Sequence, residues 1–134
     1  MRIIFLFPLM AYVITSYANE KTLFFCTTED GIKLSAKEHH DKLELKINST
    51  AFLSDESINI IKKDFLKRIK VIPDYNVISF HIKGVEYHLG SYKATSTQAE
   101  PSGRLFTLSD KKTISEHSCS FGEDVNNFRV WENE

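Results

Sequence analysis

Polar and apolar residues alternate along most of this chain, and the period changes once. Leu43, Leu45 and Ile47 alternate with Lys42, Glu44 and Lys46, whereas Ile58, Ile61, Phe65, Ile69 and Ile72 recur at steps of three and four. A period of two makes a strand with one dry face, and a period near 3.6 makes a helix with an apolar stripe. Strand character is read at Thr22–Thr27, Gly31–Ala36, Lys42–Ile47, Val77–Ile82, Val85–Leu89, Arg104–Leu108 and Thr113–Cys119. Turn chemistry separates them at Glu29-Asp30-Gly31, Glu38–Asp41, Lys83-Gly84 and Asp110-Lys111. The polar run Ala94–Gly103 reads as a long loop. Between the two groups of strands the spacing predicts a helix near 55–72, with Ser54-Asp55-Glu56 as its cap and acidic first turn and Pro73-Asp74 as its stop. The expected fold is α+β but mainly β. It is an antiparallel curled sheet or small barrel of about seven strands with one covering helix.

The first residues stand apart. Met1-Arg2, the uncharged apolar run Ile3–Ile14 and the small residues of Ser16-Tyr17-Ala18 match an export signal, with cleavage expected after Ala18. The run is short of the ~20 residues that span a bilayer. Residues 1–18 are therefore read as a signal peptide and 19–134 as a single exported domain, periplasmic in a Gram-negative cell and secreted otherwise. Two cysteines, Cys26 and Cys119, remain in that domain. An even count in an exported chain favours a disulfide, here from the first strand to the last. Without a C-x-x-C spacing, zinc is a poor alternative, and two free thiols are the other.

The 134 residues hold 17 Lys+Arg against 18 Asp+Glu, so the net charge of −1 offers no reason to expect nucleic acid as a partner. At 42% hydrophobic residues the chain is too apolar for a disordered class. Catalytic fingerprints are missing: there is no G-x-S-x-G elbow and no cofactor motif. His81 and His88 flank a tight turn and can face one another across a hairpin, but no third metal ligand is evident, and adjacent His39-His40 is a weak chelator. Asn48-Ser49-Thr50 is a glycosylation sequon relevant only in a eukaryotic secretory pathway. Lys62, Lys63, Lys67, Arg68 and Lys70 give the helix a basic face, read as solvated in preference to a site for an acidic partner or anionic lipid. Binding, with neither cofactor nor metal, is the expected mode of action, and catalysis the weakest class.

Two segments carry a resemblance. Leu23-Phe24-Phe25-Cys26-Thr27-Thr28-Glu29-Asp30-Gly31 is similar to the aromatic-x-Cys-x-x-x-Gly opening of the bacterial periplasmic inhibitors of C-type lysozyme, with one or two extra residues before the Gly. Ser102-Gly103-Arg104-Leu105-Phe106 resembles their Ser-Gly-x-x-Tyr motif, with Phe in place of Tyr. Their second motif, an aromatic followed by Thr-Lys-Gly, has no match, and the helix near 55–72 is not part of their barrel. The resemblance extends to immunity proteins against muramidase bacteriocins. It implies a protein partner, a peptidoglycan-cleaving enzyme or toxin whose cleft receives the Ser-Gly loop. Ser102 would then contact a catalytic carboxylate, Gly103 would allow close approach, Phe106 would anchor the loop base, and Tyr92 and Arg104 would extend the contact. The alternative is a small envelope-associated ligand-binding module without inhibitory activity, holding its ligand inside the curved sheet. A hydrolase would need His81, His88 and an acid to converge in a cleft.

Overall fold

The computed structural model describes residues 21–92, 102–109, 112–120 and 125–134. Residues 1–18, read from the sequence as a signal peptide, and most of the predicted Ala94–Gly103 loop lie outside them. The described chain is mainly β: two antiparallel sheets and one main α-helix. Strands β1 (Thr22–Thr27), β2 (Lys33–His39), β3 (Lys42–Ile47), β4 (Thr50–Ser57) and β9 (Val125–Asn126) form the first sheet, in the order β4-β3-β2-β1-β9. Strands β5 (Tyr75–Ile82), β6 (Val85–Tyr92), β7 (Ser102–Ser109) and β8 (Lys112–Ser118) form the second, in sequence order. The mainly β, antiparallel class with one main helix is as expected; the described residues hold nine strands against about seven, paired as two sheets and not closed into a barrel. The added strands are β4, hidden under residues that also suit a helix start, and the two-residue β9 in the tail.

Hairpins set the registers. His40-Asp41, Asn48-Ser49 and Lys83-Gly84 are two-residue connections, and His40, Asn48, Lys83 and Gly84 all have positive φ. With φ of 51° and 80°, Lys83-Gly84 is a type I′ turn, whose twist matches that of its flanking strands. Asn48, the sequon residue, is exposed, and its Oδ1 accepts from Lys33 N at 3.0 Å. Gly90 meets a different demand. It faces Val77 in the β5–β6 ladder, and a Cβ there would lie 2.1 Å from the Asn76 carbonyl oxygen. Such a close backbone approach admits only glycine.

The helix α1 (Ile58–Ile69) is shorter at both ends than its pattern predicts. Ser54, Asp55 and Glu56 belong to β4, not to a cap and first turn, and α1 follows that strand directly. Ser57 stands extended at the N-cap without a side-chain bond, and the Ile58 N–H donates instead to the Asp41 carbonyl at 2.7 Å. At the other end, Pro73 drives Ile72 away from helical geometry, and the N–H groups of Val71 and Ile72 both turn back to the Arg68 carbonyl at 3.0 Å. Ile72 thereby leaves the apolar stripe and is half exposed, while Ile58, Ile61, Phe65 and Ile69 stay buried.

The core lies between α1 and the sheets. Phe24, Phe65, Phe128 and Trp131, each at most 1% exposed, form its aromatic centre, with ring centroids 5.7–5.9 Å apart in the pairs that touch. Phe128 and Trp131 come from the tail, where a 3-10 helix (Phe128–Asn133) packs against α1. The Trp131 indole N–H donates to Glu38 Oε2 at 3.0 Å, so its burial leaves no polar group unmet. Glu134 ends the chain between Lys62 at 2.6 Å and Lys21 at 2.9 Å, and these two ammonium groups hold its carboxyl below the usual range.

Three ties bind one sheet to the other. Cys26 and Cys119 form a disulfide across 93 positions, with Cα atoms 5.7 Å apart. Beside it, Thr28 bridges Cys119, and the backbone bonds Glu29 N to Ser118 O and Ser120 N to Thr27 O join the ends of β1 and β8. Asn126 of β9 donates through Nδ2 to the Asn76 carbonyl and to Ser91 Oγ, both at 2.8 Å. The third tie uses the two acids expected at the helix start. Asp55 accepts from the N–H groups of Lys83 and Gly84, each at 2.9 Å, and Glu56 accepts from His81 N at 2.8 Å while meeting His81 Nδ1 at 2.6 Å. Strand β4 thus clasps the β5–β6 hairpin of the second sheet.

Candidate binding face

The β6–β7 register decides which of the sequence-predicted residues stand together. Tyr92 pairs with Ser102, Ser91 with Gly103, Gly90 with Arg104 and His88 with Phe106. Ser102 and Gly103 are therefore the first residues of β7, not the end of a free loop. Gly103 is buried, and its carbonyl accepts from Cys119 N at 2.8 Å beside the disulfide. The Ser-Gly pair enters the strand at a point fixed by both a ladder and a covalent bond.

Directly opposed residues in an antiparallel ladder project to the same side, and successive residues to opposite sides. Ile78, Leu89 and Leu105 form a row turned to the core, and all are buried. Ser79, His88, Phe106 and Glu116 form a row on the other side, flanked by His81, Glu86 and Leu108 and by Arg104. Of the predicted contact residues, Arg104 and Phe106 share this outer face and Gly103 does not.

The face is cross-linked by its own polar groups. The Phe106 ring stacks on the His88 imidazole, with centroids 5.0 Å apart and planes inclined by 29°. His88 Nε2 lies 2.7 Å from Glu86 Oε2 and 3.4 Å from Ser79 Oγ, and its buried Nδ1 finds no hydrogen-bond partner among the described residues. Arg104 pairs with Glu116 at 3.1 Å, with 27% and 41% of the two side chains exposed. The result is an aromatic and charged surface held in place by strand pairing.

Serine, histidine and carboxylate do converge here, but not as a proton relay. A relay needs the hydroxyl on one ring nitrogen and the acid on the other. Ser79 and Glu86 both approach Nε2. His81 and His88 share the face one row apart, yet each is engaged by a carboxylate, Glu56 and Glu86 respectively. Among the described residues no three His, Cys, Asp or Glu side chains gather as a metal site. His39 and His40 contact edge to face at 4.4 Å. The N–H groups of Gly84 and Lys83 hold the Asp55 carboxyl below the usual range.

His88, Glu86 and Glu116 were not singled out by sequence reasoning as part of a surface. The available signal was the alternation of β6 and β7, which places His88 opposite Phe106 once the ladder is registered. No protein-family model matches the chain, and neither a curated protein nor a solved structure matches it.

Proposed function

We propose that this is an exported binding protein that inhibits, or gives immunity to, a peptidoglycan-cleaving enzyme, engaging it through the outer face and loop end of β6 and β7. The observation that carries the reading is the rigid setting of the Ser-Gly-x-x-Phe segment. Its first residues are held by the Tyr92–Ser102 and Ser91–Gly103 pairs and by the Cys119–Gly103 bond next to the disulfide. A pre-ordered surface loses little conformational freedom on docking, which favours tight inhibition by a small protein. The disulfide itself belongs to an oxidising compartment, where such enzymes act.

A ligand carried between helix and sheet is the weaker reading, because that space is occupied by Phe24, Phe65, Phe128 and Trp131. The test is inhibition of cell-wall lysis by the oxidised protein, with a C-type lysozyme and a bacteriocin-type muramidase in parallel. Wild type is expected to inhibit one of them stoichiometrically. Ser102→Ala and Phe106→Ala are expected to weaken inhibition at least tenfold, as truncating a central interface residue does when it costs roughly 1.4 kcal/mol or more. Unchanged lysis by both enzymes, with no binding to either, would refute the proposal.

A further inference from the structure

The outer side of α1 and the turn after it combine lysines with apolar side chains left in water. Ile60, Val71 and Ile72 are 59%, 79% and 50% exposed. Lys63, Lys67 and Lys70 are exposed between them and make no ion pair or hydrogen bond among the described residues. The other cations of the segment are already engaged: Lys62 binds Glu134, and Arg68 binds both Asp64 and the Val77 carbonyl. Asp64 is the only acid of α1, and that pairing neutralises it. Of these three, Lys67 lines a recess with Val71, Ile72 and the paired Asp64 and Arg68, and Lys63 and Lys70 stand about one turn before and after it along the segment.

This pattern selects among occupants. A second copy of the same face would set lysine against lysine. A nucleic acid would use the lysines but leave Val71 and Ile72 in water. An anionic bilayer surface satisfies both, placing lipid phosphates against the ammonium groups and the aliphatic side chains among the upper acyl segments. We propose that the α1 face is a peripheral docking site for anionic phospholipid membranes, separate from the β6–β7 face and independent of the function proposed for it. The helix has only 12 residues and no helix among the described residues can cross a membrane, so the contact is a surface one.

The test uses protein recovered after export, its N-terminus established by mass spectrometry and common to all variants. Co-sedimentation is measured with phosphatidylcholine vesicles and with vesicles that also contain phosphatidylglycerol. Wild type is expected to sediment with the second kind alone, and less as salt is raised. At about five-fold in partitioning per lysine, Lys63→Gln/Lys67→Gln/Lys70→Gln should bind about a hundred-fold more weakly. Val71→Ser/Ile72→Ser should also lose binding, with the circular dichroism and thermal midpoint of wild type because these positions are exposed. Sedimentation that ignores phosphatidylglycerol, or a triple variant that binds like wild type, would overturn the proposal. So would full binding by Val71→Ser/Ile72→Ser together with displacement by a single-stranded oligonucleotide, which would mark a general polyanion site.

Discussion

Gly90 and Asp55 show what single residues contribute, Gly90 by letting β5 and β6 approach within the second sheet and Asp55 by tying the first sheet to the second. Gly90→Ala would drive a methyl group into the Asn76 carbonyl, whose oxygen lies 2.1 Å from the Cβ position. Strand β5 must then move, at a cost of about 3 kcal/mol, measurable as a lower urea midpoint with little change in slope. Asp55 makes a pH-dependent contribution. Its folded pKa is depressed by the Gly84 and Lys83 N–H groups, so its stabilisation is present above the ordinary carboxylate value of 3.8 and is lost as pH falls through the folded value. Asp55→Asn is accordingly expected to melt below wild type at neutral pH and to converge with it in acid. A constant gap across that range would show that charge is not what the two N–H groups recognise. From the sequence, Asp55 and Glu56 satisfied every local sign of a helix start. Their actual partners, the N–H groups of His81, Lys83 and Gly84, are more than twenty positions away and exist only once the hairpin has docked.

At the scale of elements, regular alternation made seven strands legible, and β4 and β9 were missed for different reasons. In β4, Ala51-Phe52-Leu53 is apolar without alternation and Ser54 is buried, so no period of two is visible. Ser54 follows Phe52 by two on the side that pairs with buried Leu45, and at the register shift that begins there its hydroxyl accepts the Leu43 N–H at 3.0 Å and donates to the Glu56 carbonyl at 2.8 Å. In the tail, two residues of β9 are too few to show any period. That tail completes the core. Trp131→Ala removes the ring that contacts Phe65 and Phe128 and leaves a cavity, with an expected loss of about 3–5 kcal/mol by denaturant unfolding. A loss below 1 kcal/mol would mean that the 3-10 helix is an appendage. The helix ended early because a β-turn at Pro73 overrode an apolar stripe that continued to Ile72, and the same turn exposed the side chains proposed to meet lipid.

As a whole, the molecule is two sheets sharing one core, tied by a disulfide, a clasp of two acids and a bridging asparagine. Cys26→Ser/Cys119→Ser should lower stability by ~4–5 kcal/mol through the freedom returned to the unfolded chain, read as the shift in unfolding free energy against the oxidised protein. The pairing was legible from the even cysteine count together with the expectation of export. The outer face of the second sheet was half legible: Arg104 and Phe106 were named from a motif, whereas His88, Glu86 and Glu116 joined them only through strand register. The central claim is that this face and its loop end meet a peptidoglycan-cleaving enzyme. Its most direct test is amide hydrogen exchange of the oxidised protein, alone and mixed with each of the two muramidase classes. The account predicts new protection in β6 and β7, within 85–92 and 102–109, with one enzyme class. Exchange unchanged by both enzymes, or protection confined to α1, would contradict it.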